Sequence, residues 1–256
     1  MEIRIWRTVF FSVLAMWGLS ALAHAQLMDD SFSFGLMGPI AVYKPATGTA
    51  SSLVIFISGD DGWGQGQPDM AERLTRQGAL VAAVDIIKWM RKDLAGKAPC
   101  LDIQGELSAL GAEVVKRYGL PAGTKPILYG FSSGALMTYV ALAQSQPGTF
   151  AGAVSLGFCN DLWLNKPVCK GAGLSSTFDE KHNRTLFDPA PHIGDPWVLI
   201  NGDKDPYCKL ATQQAFAAQV PGAQVMAVKG LSHGFGSGDW LTPFLAAHLR
   251  LSGQGQ

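Results

Sequence analysis

The residues that can do chemistry cluster around Gly130-Phe131-Ser132-Ser133-Gly134. The segment follows an apolar run, Pro126 to Tyr129, and opens a helical pattern from Ser133 to Gln144. In that strand-turn-helix setting G-x-S-x-G holds a serine oxygen clear at the head of a helix, so Ser132 is the expected nucleophile. Ser133, the neighbouring alternative, falls at an x position. A serine hydroxyl attacks well only when a base takes its proton and an acid orients that base. His182, His192, His233 and His248 follow Ser132, and the last two lie beyond the apolar run Trp197 to Ile200. His233, in the glycine-rich stretch Leu231 to Gly236, is the expected base, whereas His248 on the final helix suits packing or the surface. For the acid, Asp203 and Asp205 both follow Gly202. Asp205 is preferred, three residues beyond the glycine, with Asp203 as the turn residue.

Attack on an ester carbonyl also needs donors for the developing oxyanion. The backbone N–H of Ser133 is one, and that of Asp60 in Ser58-Gly59-Asp60-Asp61-Gly62-Trp63-Gly64 is the expected second. Asp61, Trp63 and Asp85 are candidate substrate-binding residues. Two are carboxylates for a cationic group, and the third is an aromatic face for an ammonium. This chemistry requires no metal and no cofactor.

These residues must be held by a scaffold. Leu53 to Ile57, Leu80 to Val84, Pro126 to Tyr129, Ala153 to Leu156 and Trp197 to Ile200 are short apolar runs, suited to strands buried on both faces of a parallel sheet. Helical patterns alternate with them: Pro68 to Gln77, a stripe of Ile103, Leu107, Leu110, Val114 and Tyr118 stopped by Gly119, Ser133 to Gln144, Lys209 to Gln219, and Leu241 to Arg250. The alternation predicts an α/β chain, mainly parallel, with helices on both faces. Ser31 to Gly35 and Ile40 to Tyr43 suggest an antiparallel hairpin at one edge, and the Ser133 to Gln144 helix should be the most deeply packed. Residues 157–196 break the rhythm and read as an irregular insertion before the acid-bearing strand.

The 256 residues carry 20 basic and 20 acidic side chains, with 48% hydrophobic residues. Such balance excludes a disordered tail and a basic nucleic-acid binder. Arg4 and Arg7, an uncharged run from Thr8 to Ala23, and Ala23-His24-Ala25 read as a signal peptide cleaved after Ala25. The run is shorter than the roughly 20 residues of a membrane span. One exported domain, 26–256, is therefore expected, in the periplasm. The four cysteines have no metal-like spacing, and export permits disulfides. Joining Cys159 to Cys169 closes a short loop containing Pro167 and leaves Cys100 for Cys208.

The Ser58-Gly59-Asp60-x-Gly62-Trp63 loop, the Val84-Asp85 strand end and the Gly-aromatic-Ser132-x-Gly elbow resemble the VirJ/AcvB bacterial virulence proteins of the α/β-hydrolase superfamily. The resemblance implies an α/β-hydrolase fold and a periplasmic serine hydrolase. It also implies association with a type IV secretion machine, and a substrate such as the aminoacyl ester of lysyl-phosphatidylglycerol at the membrane surface.

Overall fold

The computed structural model describes residues 28–254, apart from 47, 65 and 165; the expected leader, with its cleavage after Ala25, lies outside the described residues. The chain opens with a hairpin, β1 (Asp30–Phe34) and β2 (Gly38–Tyr43), followed by β3 (Ser52–Ile57), α1 (Gln67–Thr75), β4 (Ala79–Val84) and α2 (Ile86–Ala95). Then come α3 (Ile103–Tyr118), β5 (Ile127–Phe131), α4 (Ser133–Gln144) and β6 (Gly152–Leu156). Three short strands, β7 (Asp161–Leu162), β8 (Ser176–Asp179) and β9 (Arg184–Phe187), precede β10 (Trp197–Gly202), α5 (Leu210–Ala217), β11 (Ala223–Val228) and α6 (Leu241–Leu251).

Eight strands form one sheet in the order β1-β2-β4-β3-β5-β6-β10-β11. Neighbours from β4 to β11 run parallel, while β2 joins β4 antiparallel and puts the hairpin at the edge, as expected. The apolar runs alternate between the two faces. Leu53, Ile55 and Ile57 pack with Leu107, Leu110 and Leu136 on one side, and Val54 and Phe56 pack with Met70, Leu74 and Phe244 on the other. Burial on both faces is what makes these strands apolar throughout. Every residue of α4 is buried, which matches its lack of a polar face.

Sequence patterning overlooked two features. Helix α2 was not expected, yet Asp85 caps it by accepting hydrogen bonds from the N–H groups of Ile87 and Lys88 at 3.1 and 3.2 Å. The 157–196 segment is not wholly irregular, because β7, β9 and β8 form a small antiparallel sheet. No helix among the described residues is long and apolar enough to cross a membrane.

The expected cysteine pairing is corrected. Disulfides join Cys100 to Cys169 and Cys159 to Cys208, with Cα atoms 4.9 and 5.0 Å apart. A backbone pairing outside the short loop decides the partner of Cys169. Leu101 and the 167–169 segment bond to each other, with Leu101 N–H donating to Pro167 and Cys169 N–H to Leu101, both at 2.9 Å. That pairing lays Cys169 beside Cys100, while Cys159, just after β6, meets the loop after β10. Both bonds are of the kind that persists in oxidising compartments.

Candidate active site

Ser132 sits between β5 and α4 with φ 53° and ψ −117°, a conformation that L residues rarely adopt and that costs about 1–3 kcal/mol. Surrounding bonds hold it there: its N–H donates to Leu156 at 2.9 Å, and its carbonyl accepts from Ala135 at 2.9 Å. The flanking glycines are steric requirements. A Cβ on Gly130 would lie 2.0 Å from the Gly134 carbonyl oxygen, and one on Gly134 would lie 2.4 Å from the carbonyl oxygens of Ile57 and Ser58. Hydrogen at Gly130 lets β5 lie against the first turn of α4, and hydrogen at Gly134 lets that turn press against the end of β3. Helix α4 has no acidic residue of its own in its first turn, and its positive end lies next to the serine.

The structure brings the other two expected residues to Ser132. His233 Nε2 lies 2.9 Å from the Ser132 hydroxyl, and Nδ1 lies 2.7 Å from Asp205 Oδ2. A carboxylate only accepts, so Nδ1 carries hydrogen and Nε2 is left to accept from the hydroxyl. The ring is held edgewise by Tyr207 and tilted on Phe131, with centroids 5.3 and 5.4 Å away. Asp205 is buried, and its Oδ1 accepts from the N–H groups of Tyr207 and Cys208 at 2.9 and 2.8 Å. Burial opposes its ionisation, but the bonds from His233 and the two N–H groups prevail and hold the carboxyl below the usual range. Asp203 serves the turn instead, accepting from Gly230 N–H at 2.6 Å. His248 is wholly buried, with Nε2 3.4 Å from the Ser52 hydroxyl, and burial pulls it down to about 4.

Asp60, Asp61 and Ser133 line a cleft of about 810 Å³ together with Ser132 and His233. Sequence reading missed one contact there: the Ser133 hydroxyl donates to the Asp60 carboxylate. Two expected substrate-binding residues do other work and do not line the cleft. Trp63 donates from Nε1 to the Tyr43 hydroxyl at 2.8 Å and packs edge-on against Phe56. Asp85 caps α2 and meets Lys88 at 3.0 Å; burial raises its pKa, yet the bonds from Lys88 bring it below the usual range. The sequence carries part of that signal, since an aspartate directly before Ile86, Ile87, Trp89 and Met90 can open a helix.

Leu162 of β7, Arg184 of β9 and Trp163, just after β7, also line the cleft. Arg184 is bonded to Asp161 at 2.8 Å. Trp163 and Tyr207 stand at the rim, 72% and 77% exposed. Asp205, Cys208 and His233 place ligand-type atoms within 4.8 Å of one another. The sulfur, however, belongs to the Cys159 disulfide, and both imidazole nitrogens are already bonded.

No model of a known protein family matches the chain, and no curated protein matches it. Solved structures do. The chain is similar to an alpha-beta serine hydrolase homologue from Coxiella burnetii, with TM-score 0.55 and 17% identity over 89% of this chain and 98% of that one. It is also similar to the thermophilic esterase Est2 from Thermogutta terrifontis, with butyrate bound, at TM-score 0.57 and 13% identity over 90% and 96%. Est1E from Butyrivibrio proteoclasticus gives TM-score 0.51 and 14% identity over 84% and 92%. The likeness is one of fold, and the fold is that of the α/β-hydrolases.

Proposed function

We propose that the protein is an exported serine hydrolase that cleaves an ester. The observation that carries this reading is the unbroken chain of bonds from Asp205 through His233 to Ser132, at 2.7 and 2.9 Å, ending on a strained turn. Ser132 attacks the carbonyl carbon while His233 Nε2 takes its proton. The oxyanion is received by the backbone N–H groups of Ser133 and Asp60, each donor contributing about 100-fold to 1,000-fold in rate. His233 then protonates the departing alcohol, and a water, deprotonated by the same imidazole, releases the acid. Asp205 keeps Nδ1 protonated throughout. No cofactor or metal enters these steps.

The substrate class within this reading is an aminoacyl ester, with lysyl-phosphatidylglycerol at the membrane surface as the candidate drawn from the VirJ/AcvB resemblance. Asp61 supports it, being an exposed carboxylate on the cleft that carries Ser132. Trp63 and Asp85 are withdrawn from this role. An uncharged soluble ester is the rival substrate, and a non-catalytic partner of a secretion machine is the rival function.

A fluorophosphonate probe decides first between hydrolase and binding protein. Covalent labelling of the wild type, abolished in Ser132→Ala, is expected; an unlabelled wild type would remove the enzyme reading. Hydrolysis of lysyl-phosphatidylglycerol vesicles against p-nitrophenyl butyrate then separates the substrates.

A further inference from the structure

We propose that the Cys159–Cys208 disulfide is the positioning element for Asp205, so that turnover at Ser132 requires the two sulfurs to be joined. This rests on the serine-hydrolase reading above. Between Asp203 and Lys209 only Asp205 and Cys208 are buried; Asp203, Lys204, Pro206, Tyr207 and Lys209 are exposed. The start of the loop is tied to the 228–231 turn, by Gly230 N–H to Asp203 at 2.6 Å and by Lys204 N–H to Leu231 at 3.0 Å, and beyond Lys204 its buried anchors are the proposed catalytic acid and the half-cystine three residues beyond it. They are bonded to each other, because Asp205 Oδ1 accepts from Cys208 N–H at 2.8 Å and from Tyr207 N–H at 2.9 Å. The backbone N–H of Asp205 itself reaches only Gly202, at a long 3.5 Å.

The far end of the bond is equally well placed. Cys159 follows β6 by three residues, and the intervening Gly157 lies against the imidazole: a Cβ there would be 3.1 Å from His233 Cε1. Both half-cystines line the cleft. One covalent bond thus ties the loop that carries the acid to the strand end that flanks the base. Cys100–Cys169 lines no part of the cleft and joins the start of α3 to the segment after β7, which makes it an internal control.

The chemistry of opening the bond is ordinary exchange. A dithiol attacks one sulfur through its thiolate, the S–S bond breaks, and the reagent's second thiolate displaces the mixed disulfide. The two electrons come from the dithiol, which closes to its own disulfide, and two cysteine thiols remain. With the bond open, the Asp205 loop keeps its sequence but loses its fixed position, and a displacement of about 1 Å at a catalytic group costs about 100-fold.

The test uses the full chain and p-nitrophenyl acetate. A Cys100→Ser/Cys169→Ser protein keeps only the bond in question. Dithiothreitol should lower its kcat about tenfold to a hundredfold, with KM little changed and the far-ultraviolet circular dichroism intact. Oxidised glutathione should restore it. Cys159→Ser/Cys208→Ser should show the low kcat from the outset and respond to neither reagent. Should the first variant fail to fold, wild type reduced and reoxidised beside Cys159→Ser/Cys208→Ser gives the same comparison. Unchanged kcat after reduction, or a loss of activity matched by a loss of dichroism, overturns the positioning role. Equal fluorophosphonate labelling of oxidised and reduced protein overturns it alone. No labelling of the oxidised wild type overturns the serine-hydrolase reading and this inference with it.

Discussion

The hydroxyl of Ser133 donates to the carboxylate of Asp60, joining the first residue of α4 to the loop after β3. Both residues are proposed to aim a backbone N–H at the oxyanion, so their side chains set the spacing between the two donors. Ser133→Ala and Asp60→Ala should each lower kcat/KM about tenfold or more, because a small misplacement of a preorganised donor is felt at the transition state. Their effects should not add. A double-mutant cycle is expected to give a coupling of about 1–3 kcal/mol, and full additivity would mean that the contact does not organise the site.

Asp205→Asn should leave the fold in place and reduce kcat by about 10,000-fold, the scale seen when a triad carboxylate becomes an amide and the wrong imidazole tautomer results. The amide oxygen can still accept from the N–H groups of Tyr207 and Cys208, which is why the loop should keep its shape. Asp203→Asn, at the turn position bonded to Gly230, should change kcat little. Steady-state kinetics on the two variants side by side test the assignment, and equal losses would reject it.

A lysyl ester and an uncharged ester of the same alcohol should respond differently to Asp61→Asn. Asp61 is exposed at the cleft, so its attraction for an ammonium is that of a surface pair, and KM for the lysyl ester should rise only about threefold to fivefold. The wild-type preference for the charged ester should shrink as salt is added, since exposed charges are screened within about 10 Å at 0.1 M. Parallel changes in both KM values would favour the uncharged substrate.

Gly134→Ala is expected to destabilise the protein by about 4 kcal/mol or more, at the exceptional end for one substitution. The added methyl would meet two backbone carbonyls at 2.4 Å, and backbone at the junction of β3 and α4 cannot step aside as a flexible side chain would. Urea unfolding measures the loss. A fully stable variant would show that α4 can shift away from the sheet.

The parts legible in the sequence were those set by local pattern. Leu53 to Ile57 reads as a buried strand because both of its faces are covered, and Gly119, with φ 65°, stops α3 where the stripe ends. Ser132, His233 and Asp205 were legible because each falls in a loop type that follows a readable strand. What escaped depends on contacts between distant segments. Cys169 pairs with Cys100 because 167–169 lies along Leu101, a proximity that no spacing encodes. The same holds for Asp85, since an aspartate at a strand end can face a cleft or cap the next helix, and only the packing of Ile86, Trp89 and Met90 into the core decides between them. Strands β7 and β8 bury no alternate residues, and the alternation of β9 spans only four residues, too few to read as a strand.

Glu106 of α3 and Asp93 of α2 set a pH dependence remote from the cleft. Trp89 Nε1 donates to Glu106 at 2.7 Å, and Lys166 Nζ bonds the carbonyls of Asp93 and Gly96 at 2.6 and 3.0 Å. Burial, followed by repulsion from Asp93, pushes Glu106 up to about 7 from an ordinary 4.5, while burial also raises Asp93, and Asp102 adds a further negative charge to the group. Between roughly pH 4.5 and 7 the folded protein therefore holds a proton that the unfolded chain has released. Stability falls as pH rises through that window and stays lower above it. Glu106→Gln keeps an acceptor for Trp89 and has no proton to lose, so it should gain stability at pH 8 and change little at pH 5. Solvent screening at this half-buried position trims the gain to about 1 kcal/mol, or about 2–4 °C in Tm. Scanning calorimetry at the two pH values gives the answer. A Tm difference of the same size at both would mean that Glu106 acts through packing rather than through its proton.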